Sequence, residues 1–419
     1  MENVGQYITK YVKGKVPKQL VEIPSTETLP YLSPDYLRGK ANPEFYAAPD
    51  DKIILVEDGE VIVLWDGSNA GEIFISKKGI LGSTMVKLEF DEEQIFKPYF
   101  SYSFQYLEYF LKAKTAGSGI PHADKGVIKK LNFFKPPKPE QTAIATILSK
   151  VDKAIAATQN SIKAAEKLKK ALMQNLLTGK LKPDGSWRTE DEFYEDEKFG
   201  KVPLGWEVKK LKDVCIYGGQ YGANASAVDF VEGKPRYIRI TDIDDLGNLI
   251  EENKAGIEKD KVKDYLLKDN DFLFARTGDT VGKSLLYKEE MGLSAYAGYL
   301  IKFTFNEELI LAEYFNLVAK SDIFEAFKVA MQRVGAKPNI NSREYGSFRF
   351  PLSNDINEQQ LIFEQAKPIN ESISRKQTKI QTLQRLKKSL MQNLLTGKVH
   401  LPKEVVERLS KLEKEVKNA

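Results

Sequence analysis

Cysteine is almost absent from this chain of 419 residues: Cys215 is the only one. An intramolecular disulfide is therefore excluded, and a reducing, cytoplasmic setting is expected. Histidine is nearly as scarce, with only His122 and His400, far apart in sequence. One Cys and two His cannot assemble a zinc site of ordinary composition. No apolar run reaches about 18 residues, so no membrane-spanning helix is expected. The opening MENVGQYITKYVKGK lacks the apolar core of a signal peptide. A strong excess of one charge is missing too: 63 basic residues face 59 acidic ones, for a net charge of +4. That balance permits a basic face opposite an acidic one without demanding it. What the chain does have is core-forming material, 42% hydrophobic and 11% aromatic, which excludes a disordered chain. Its length fits two or three domains.

The most informative feature is an internal near-copy. Leu168 to Leu181 reads LKKALMQNLLTGKL and Leu386 to Val399 reads LKKSLMQNLLTGKV, identical at twelve of fourteen positions. The same offset extends upstream without a gap, matching Glu140-Gln141 to Glu358-Gln359 and Ile144, Ile155 and Ile162 to Ile362, Ile373 and Ile380. Two copies are too few for a solenoid, so this is a duplicated unit. Both copies read as long helices of about 40 residues, ~60 Å at 1.5 Å per residue. The first carries Ile144, Leu148, Val151, Ile155, Ile162, Ala165, Leu168, Leu172 and Leu176 as an apolar seam interrupted by Thr158; the second carries Ile362, Ala366, Ile369, Ile373, Ile380, Leu383, Leu386, Leu390 and Leu394. Pro139 suits a first helical turn, Asp355 with Glu358 reads as a capping box, and Gly179 and Gly397 supply the stops. Such seams must be buried, most economically against each other, so their role is structural.

Outside the helices lie two segments of similar size that share landmarks without being near-copies. Pro30-Tyr31-Leu32 parallels Arg236-Tyr237-Ile238, each followed by an Asp, Asp35 or Asp242. Both have a β-rich middle and then a short helix-like stretch, from Tyr99 and from Leu311. Both close alike, with Pro121 twelve residues before Phe133 and Pro338 twelve before Phe350. The expected organisation is a first head over 1–135, a first spacer helix over 136–181, a polar and acidic linker over 182–200, a second head over 201–352, and a second spacer helix with a tail over 353–419.

This plan, with the LMQNLLTGK repeats, resembles the specificity subunit of type I restriction-modification systems. KVPLGWEVKKL (Lys201 to Leu211) is similar to the usual opening of a second target-recognition domain, and DGSNAGE (Asp66 to Glu72) and ARTGDTVGK (Ala275 to Lys283) are similar to recurring phrases of such domains. The resemblance covers essentially the whole chain. It departs at the first head, which lacks the Gly-Trp-Glu opening although Gly14-Lys15-Val16-Pro17 echoes Gly200-Lys201-Val202-Pro203; a shortened or atypical first strand is expected there. The resemblance implies an α+β fold in which two α/β target-recognition domains are separated by two long antiparallel helices forming a coiled coil, in a pseudo-twofold arrangement. It also implies a non-catalytic subunit whose heads each read half of a split double-stranded DNA target. The helices would set the gap and dock methyltransferase (modification) subunits, joined by restriction subunits. S-adenosylmethionine, ATP and magnesium would belong to those partners, with no cofactor in this chain. Because the heads differ in sequence, the two half-sites should differ.

Base reading needs side chains such as Arg or Lys for guanine and Asn or Gln for adenine, while phosphate contacts position the protein. The first-head candidates are Arg38, Ser68, Asn69, Lys77, Lys78, Ser83 and Thr84; those of the second head are Arg239, Arg276, Lys283, Arg333, Lys337, Asn339 and Arg343. Trp65 reads more simply as a buried strand end, Tyr221 as loop packing, His122 as loop surface and Cys215 as a core strand residue. Residues Gly278 to Ser284, GDTVGKS, imitate a phosphate-binding loop but are one residue short between the glycines. Asp244 or Asp245 with Glu252 and Lys254 imitates a nuclease centre at a spacing common by chance. A coiled-coil protein scaffold that reads no DNA is the main alternative, with a nuclease a remote one; salt-sensitive, sequence-dependent DNA binding separates the first reading from the scaffold.

Overall fold

A computed structural model describes residues 1–114, 121–258, 262–331 and 338–418. The chain divides into two compact units: 1–160 with 377–419, and 161–376. Each unit thus holds one head and a segment of each long helix, so the expected boundaries at the helix ends do not mark where the compact bodies divide. The helices run over Lys138–Leu177 and Ile356–Leu394.

The heads repeat one topology. In the first, an antiparallel sheet runs in the order Ile8–Lys13, Met85–Phe90, Val61–Leu64, Ile73–Ile75. In the second the order is Gln220–Tyr221, Leu300–Phe303, Phe272–Ala275, Ser284–Leu286. The strands Val61–Leu64 and Phe272–Ala275 are buried throughout, which is why they read as continuous apolar runs rather than alternating ones. Each head adds a mixed sheet with one parallel pair, Leu29–Leu32 beside Gly79–Leu81 and Arg236–Ile238 beside Ser294–Tyr296. The shared Tyr-Leu and Tyr-Ile landmarks are these parallel strands, with Leu32 and Ile238 fully buried. The closing strand pairs with the opening one in both heads. In the second, Arg349–Ser353 pairs with Trp206–Lys210 over five residues; in the first, Asn132–Phe133 meets only Glu2–Asn3. The first strand of the first head is thus shortened, as its missing opening motif suggests. The echo of Gly14–Pro17 in Gly200–Pro203 is not a structural match. Gly14 follows the first sheet strand, where its counterpart is Gly222, and a Cβ on either would lie within 2.5 Å of backbone. Gly200–Pro203 instead pairs with Phe193–Asp196, so part of the expected linker is a β-hairpin.

The long helices join the cores of both units. In the first unit, Ile144, Ala145 and Leu148 pack with Val61, Val63, Phe100, Phe104, Leu394 and Leu395. Two contacts give the direction there: Lys387 pairs with Asp152 at 2.7 Å, and His400 Nδ1 lies 3.1 Å from Glu140. Stepping back along one segment moves forward along the other, so the segments are antiparallel. In the second unit Met173, Leu176, Leu177, Ile362 and Ala366 share a core with Phe272, Phe274, Phe315 and Phe350.

The seam departs from expectation at one place. Ile144, Leu148, Val151, Ile162, Ile362 and Ile373 are buried, while Ile155, Leu172, Ile369, Ile380, Leu383 and Leu390 are half-buried. Leu168, however, is 62% exposed, and its counterpart Leu386 is 46% exposed. A strict alternation of four and three from Ile144 passes through Thr158, Ile162 and Ala165 to Lys169 rather than Leu168, one residue and about 100° round the helix. Lys169 and Lys387 therefore lay their stems along the seam. Lys387 reaches Asp152 and stands 5.4 Å over the Tyr102 ring, and Tyr102 donates to Asp152 at 2.8 Å. Burial pulls the Lys169 ammonium below its ordinary value.

A matched pair of glutamines fastens each head to its helix. Gln141 and Gln359 are buried in the first turn. Gln141 accepts from Phe96 N–H at 2.8 Å and donates to the carbonyls of Gln94 and Pro136. Gln359 accepts from Leu311 N–H at 2.9 Å and donates to the carbonyls of Leu309 and Ser353. Phe96 and Leu311 are the N-cap residues of the head helices Lys97–Lys112 and Ala312–Val318. Neither cap has a side-chain bond of its own, so the glutamine satisfies a backbone donor there. The neighbouring Glu358 does not close the expected capping box. It pairs with Arg188 and accepts from Trp206 Nε1 at 2.8 Å and from the Ser353 hydroxyl, while Asp355 accepts from Asn357 N–H at 2.9 Å. Gly179 and Gly397 end the helices at φ of +68° and +71°. A Cβ on Gly179 would lie 2.2 Å from Pro203, and one on Gly397 2.8 Å from the Phe134 ring.

Candidate nucleic-acid interface

In each head the buried central strand ends in a loop built on one set of backbone bonds. Trp65 and Arg276 directly follow the strand; their N–H groups donate to Thr84 and Tyr299, and their carbonyls accept from Ala123 and Ile340. Next come Asp66 and Thr277, which bridge to His122 and Asn339. Gly67 and Gly278, both at positive φ, then donate to the carbonyls of Pro121 and Pro338. At the edge of the same sheet Lys13 pairs with Val86, as Tyr221 does with Ile301. The backbone thus brings five positions together in each head: Lys13, Trp65, Asp66, Thr84 and His122 in the first, and Tyr221, Arg276, Thr277, Tyr299 and Asn339 in the second.

The side chains at these positions differ in kind. In the first head Asp66 lies 2.9 Å from Lys13 Nζ and 2.7 Å from His122 Nδ1. Burial pushes the Asp66 carboxyl up, but hydrogen bonds from Lys13 and His122 outweigh it and hold it below the usual carboxylate range. Trp65 meets Tyr11 edge to face, and the Lys125 ammonium stands 5.2 Å over Tyr11. In the second head the Arg276 guanidinium lies 4.9 Å over the Tyr221 ring, and its Nε is 3.4 Å from Asn339 Oδ1. Tyr221 OH accepts from Ser342 N–H at 3.1 Å, and the Ser342 hydroxyl donates to Gly219 O at 2.6 Å. Tyr221 and Tyr299 are exposed. Such polar, aromatic and cationic surface suits bases and phosphates.

Of the expected contact residues, Arg276, Asn339 and Thr84 lie in these clusters. Ser68 and Asn69 are exposed in the following loop, and Arg343 is exposed beside Ser342. Others are engaged elsewhere. Arg38 is held by Glu72 at 3.0 Å and Asp35 at 2.7 Å with little exposure, so its guanidinium is spent on the fold. Lys283 sits where Glu72 sits and pairs with Asp245 at 2.7 Å, making the same type of tie from hairpin to preceding loop with the charges reversed. Arg239 grips Asp242 through two bonds of 2.9 and 2.7 Å, which engage one edge of its guanidinium while the side chain stays partly exposed. Lys77 stands 4.4 Å over Tyr36, Lys78 is 3.4 Å from Glu57, and Ser83 N–H donates to Tyr31 OH at 3.0 Å. Arg333 and Lys337 lie outside the described residues.

Lys13 and Asp66 were missed by sequence reasoning. The spacing of Pro121 and Pro338 was the available signal for His122 and Asn339, since each follows its proline. Residues Gly278–Thr280 form a 3-10 turn leading into the strand Ser284–Leu286, whereas a phosphate-binding loop leads into a helix. Asp244 is taken up in its own turn, accepting from Leu246 and Asn248 N–H, and Lys254 pairs with Glu251. No helix among the described residues is long and apolar enough to cross a membrane.

The family model for the type I restriction modification DNA specificity domain matches twice, over residues 5–167 and 203–385. The chain belongs to this family. As a specificity subunit it is a DNA-recognition component and not itself a catalyst, and specificity subunits assemble with other subunits. It is 32% identical over 406 residues to the MjaVIII type I restriction enzyme specificity subunit of Methanocaldococcus jannaschii, covering 95% of this chain and 92% of that one. It is 22% identical over 338 residues to the EcoBI specificity subunit of Escherichia coli, covering 78% and 70% of the two chains. Among solved structures, the S subunit of a type I restriction-modification system from M. genitalium superposes with a TM-score of 0.59 at 16% identity, covering 94% of this chain and 95% of that one; this is a likeness of fold.

Proposed function

We propose that each head of this specificity subunit reads one half of an asymmetric, bipartite duplex target, and that the long helices fix the gap and dock methyltransferase subunits. One observation carries the reading: two heads of the same topology hold different side chains at the same loop positions, Lys13–Asp66–His122 against Tyr221–Arg276–Asn339. Conserving the backbone while changing the tips is what two readers of different sequences require. In this reading restriction subunits join the same assembly in the cytoplasm. S-adenosylmethionine, ATP and magnesium are held by the partners, and this chain supplies position and sequence choice. Phosphate contacts by the lysines make binding fall steeply with salt.

The test is genome-wide mapping of methylated adenine in cells expressing this chain with its neighbouring methyltransferase subunit. A split, asymmetric motif that disappears when this chain is omitted is expected. Exchanging residues 201–352 for another second head is expected to change one half-site and leave the other. A motif indifferent to this chain, or an exchange that alters both half-sites, would overturn the modular reading.

A further inference from the structure

We infer that Arg276 reads a guanine in the half-site recognised by the second head, with Tyr221 and Asn339 as its positioning residues. The inference rests on the proposal that the heads read DNA, and it names the base and the group that selects it.

Three observations point to this arginine. First, three other described arginines of this head face carboxylates, Arg236 with Glu251, Arg239 with Asp242 and Arg349 with Asp196, while Arg343 is exposed on the short helix beside Ser342 and not in the strand-end loop. Arg276 has no carboxylate partner among the described residues. Second, it is held nonetheless. Its guanidinium lies 4.9 Å over Tyr221 and its Nε faces Asn339 Oδ1 at 3.4 Å. Tyr221 is fixed in turn by Ser342 N–H, and the Arg276 backbone is bonded on both sides, to Tyr299 and to Ile340. The two Nη groups have no partner among the described residues. A planar fork held from behind, with both outer nitrogens unspent, matches the paired acceptors O6 and N7 of guanine in the major groove. Stacking removes part of the side-chain entropy that would otherwise be lost on binding. Third, the position is variable between the heads while its frame is not. Trp65 stands on the same backbone bonds in the first head and cannot make this contact, so the arginine is not required by the loop.

A lysine at 276 would keep the positive charge and lose the fork, which separates base reading from phosphate binding. Tyr221→Phe keeps the ring beneath the guanidinium, whereas Tyr221→Ala removes it.

The experiment selects binding sites from a library of randomised duplexes, using the full chain purified with its co-expressed methyltransferase subunits, and then measures affinities by competition. Wild type is expected to select a split motif with a guanine in one half-site. In Arg276→Lys and Arg276→Gln that single position should lose its preference, by roughly 5- to 150-fold, the range of a good bidentate contact. The other half-site should be unchanged. Tyr221→Ala should weaken the same position and Tyr221→Phe should retain it. If wild type selects a split motif but Arg276→Lys keeps every position, or loses affinity equally for all sequences with a smaller salt dependence, Arg276 contacts phosphate or nothing and the inference falls. If wild type selects no motif, the DNA-reading proposal itself falls.

Discussion

Replacing Gln359 with leucine tests whether the duplicated glutamine fastens the second head to its helix. Gln359 is fully buried and makes three bonds: it accepts from Leu311 N–H at 2.9 Å and donates to Leu309 O at 3.0 Å and Ser353 O at 2.9 Å. Leucine fills similar space and makes none of them. Each buried polar group left without its partner costs about 1–3 kcal/mol, and the added apolar burial returns about 1–2 kcal/mol. For the three groups together a net loss of about 1–8 kcal/mol is expected, at about 2–4 °C in Tm per kcal/mol for a unit of this size. Urea unfolding followed by near-ultraviolet dichroism measures it. Gln359→Glu sharpens the test. One oxygen can still accept from Leu311, but the other faces two carbonyls, so the carboxyl should be protonated in the folded state and its pKa raised. Its destabilisation should therefore be small below the ordinary Glu value of about 4.3 and grow as pH rises towards the folded-state value. A Gln359→Leu variant within about 0.5 kcal/mol of wild type, or a Gln359→Glu penalty that does not change with pH, would refute the role assigned to these bonds.

The seam gives a contrast in one helix: Leu176→Ala should cost about 2–5 kcal/mol, while the exposed Leu168→Ala should stay within about 0.5 kcal/mol, both read from denaturant midpoints. Equal effects would place the seam back on Leu168. Burial pushes the Cys215 thiol up to about 12. Iodoacetamide at pH 8 should therefore modify folded protein on the order of 10³-fold more slowly than free cysteine, reaching the free rate in urea; fast labelling of the folded chain would contradict the burial.

Much of the architecture was legible because it rests on local periodicity. The two copies of LMQNLLTGK, the 4-and-3 spacing from Ile144 and from Ile362, and Gly179 and Gly397 were enough to place both helices and their ends. Leu168 lies one residue off that period, which runs through Lys169, so its apolar character does not place it in the seam. The interface was less legible. Arg38 and Arg276 look alike in sequence, each in a polar stretch near Gly. One is neutralised by Glu72, 34 residues away, and the other lies over Tyr221, 55 residues before it. The closing segment behaves similarly. His122 is loop surface, as its setting after Pro121 suggests, and the bridge to Asp66 also brings it within 2.7 Å of a carboxylate that Lys13 holds.

What the sequence determined by itself was therefore the duplication, the long helices, the two related heads and, through the repeats and motifs, the family. The helices follow from spacings of three and four residues that an isolated segment already expresses, whereas the duplication follows from the match between two stretches of the chain and the family from the resemblance of its motifs. Only the tertiary structure decided which cations are free to meet DNA. Arg239 and Arg38 each meet an aspartate three residues away, but the second carboxylate on Arg38, Glu72, and the ring under Arg276, Tyr221, come from tens of residues away, brought there by strands that pair only in the folded chain.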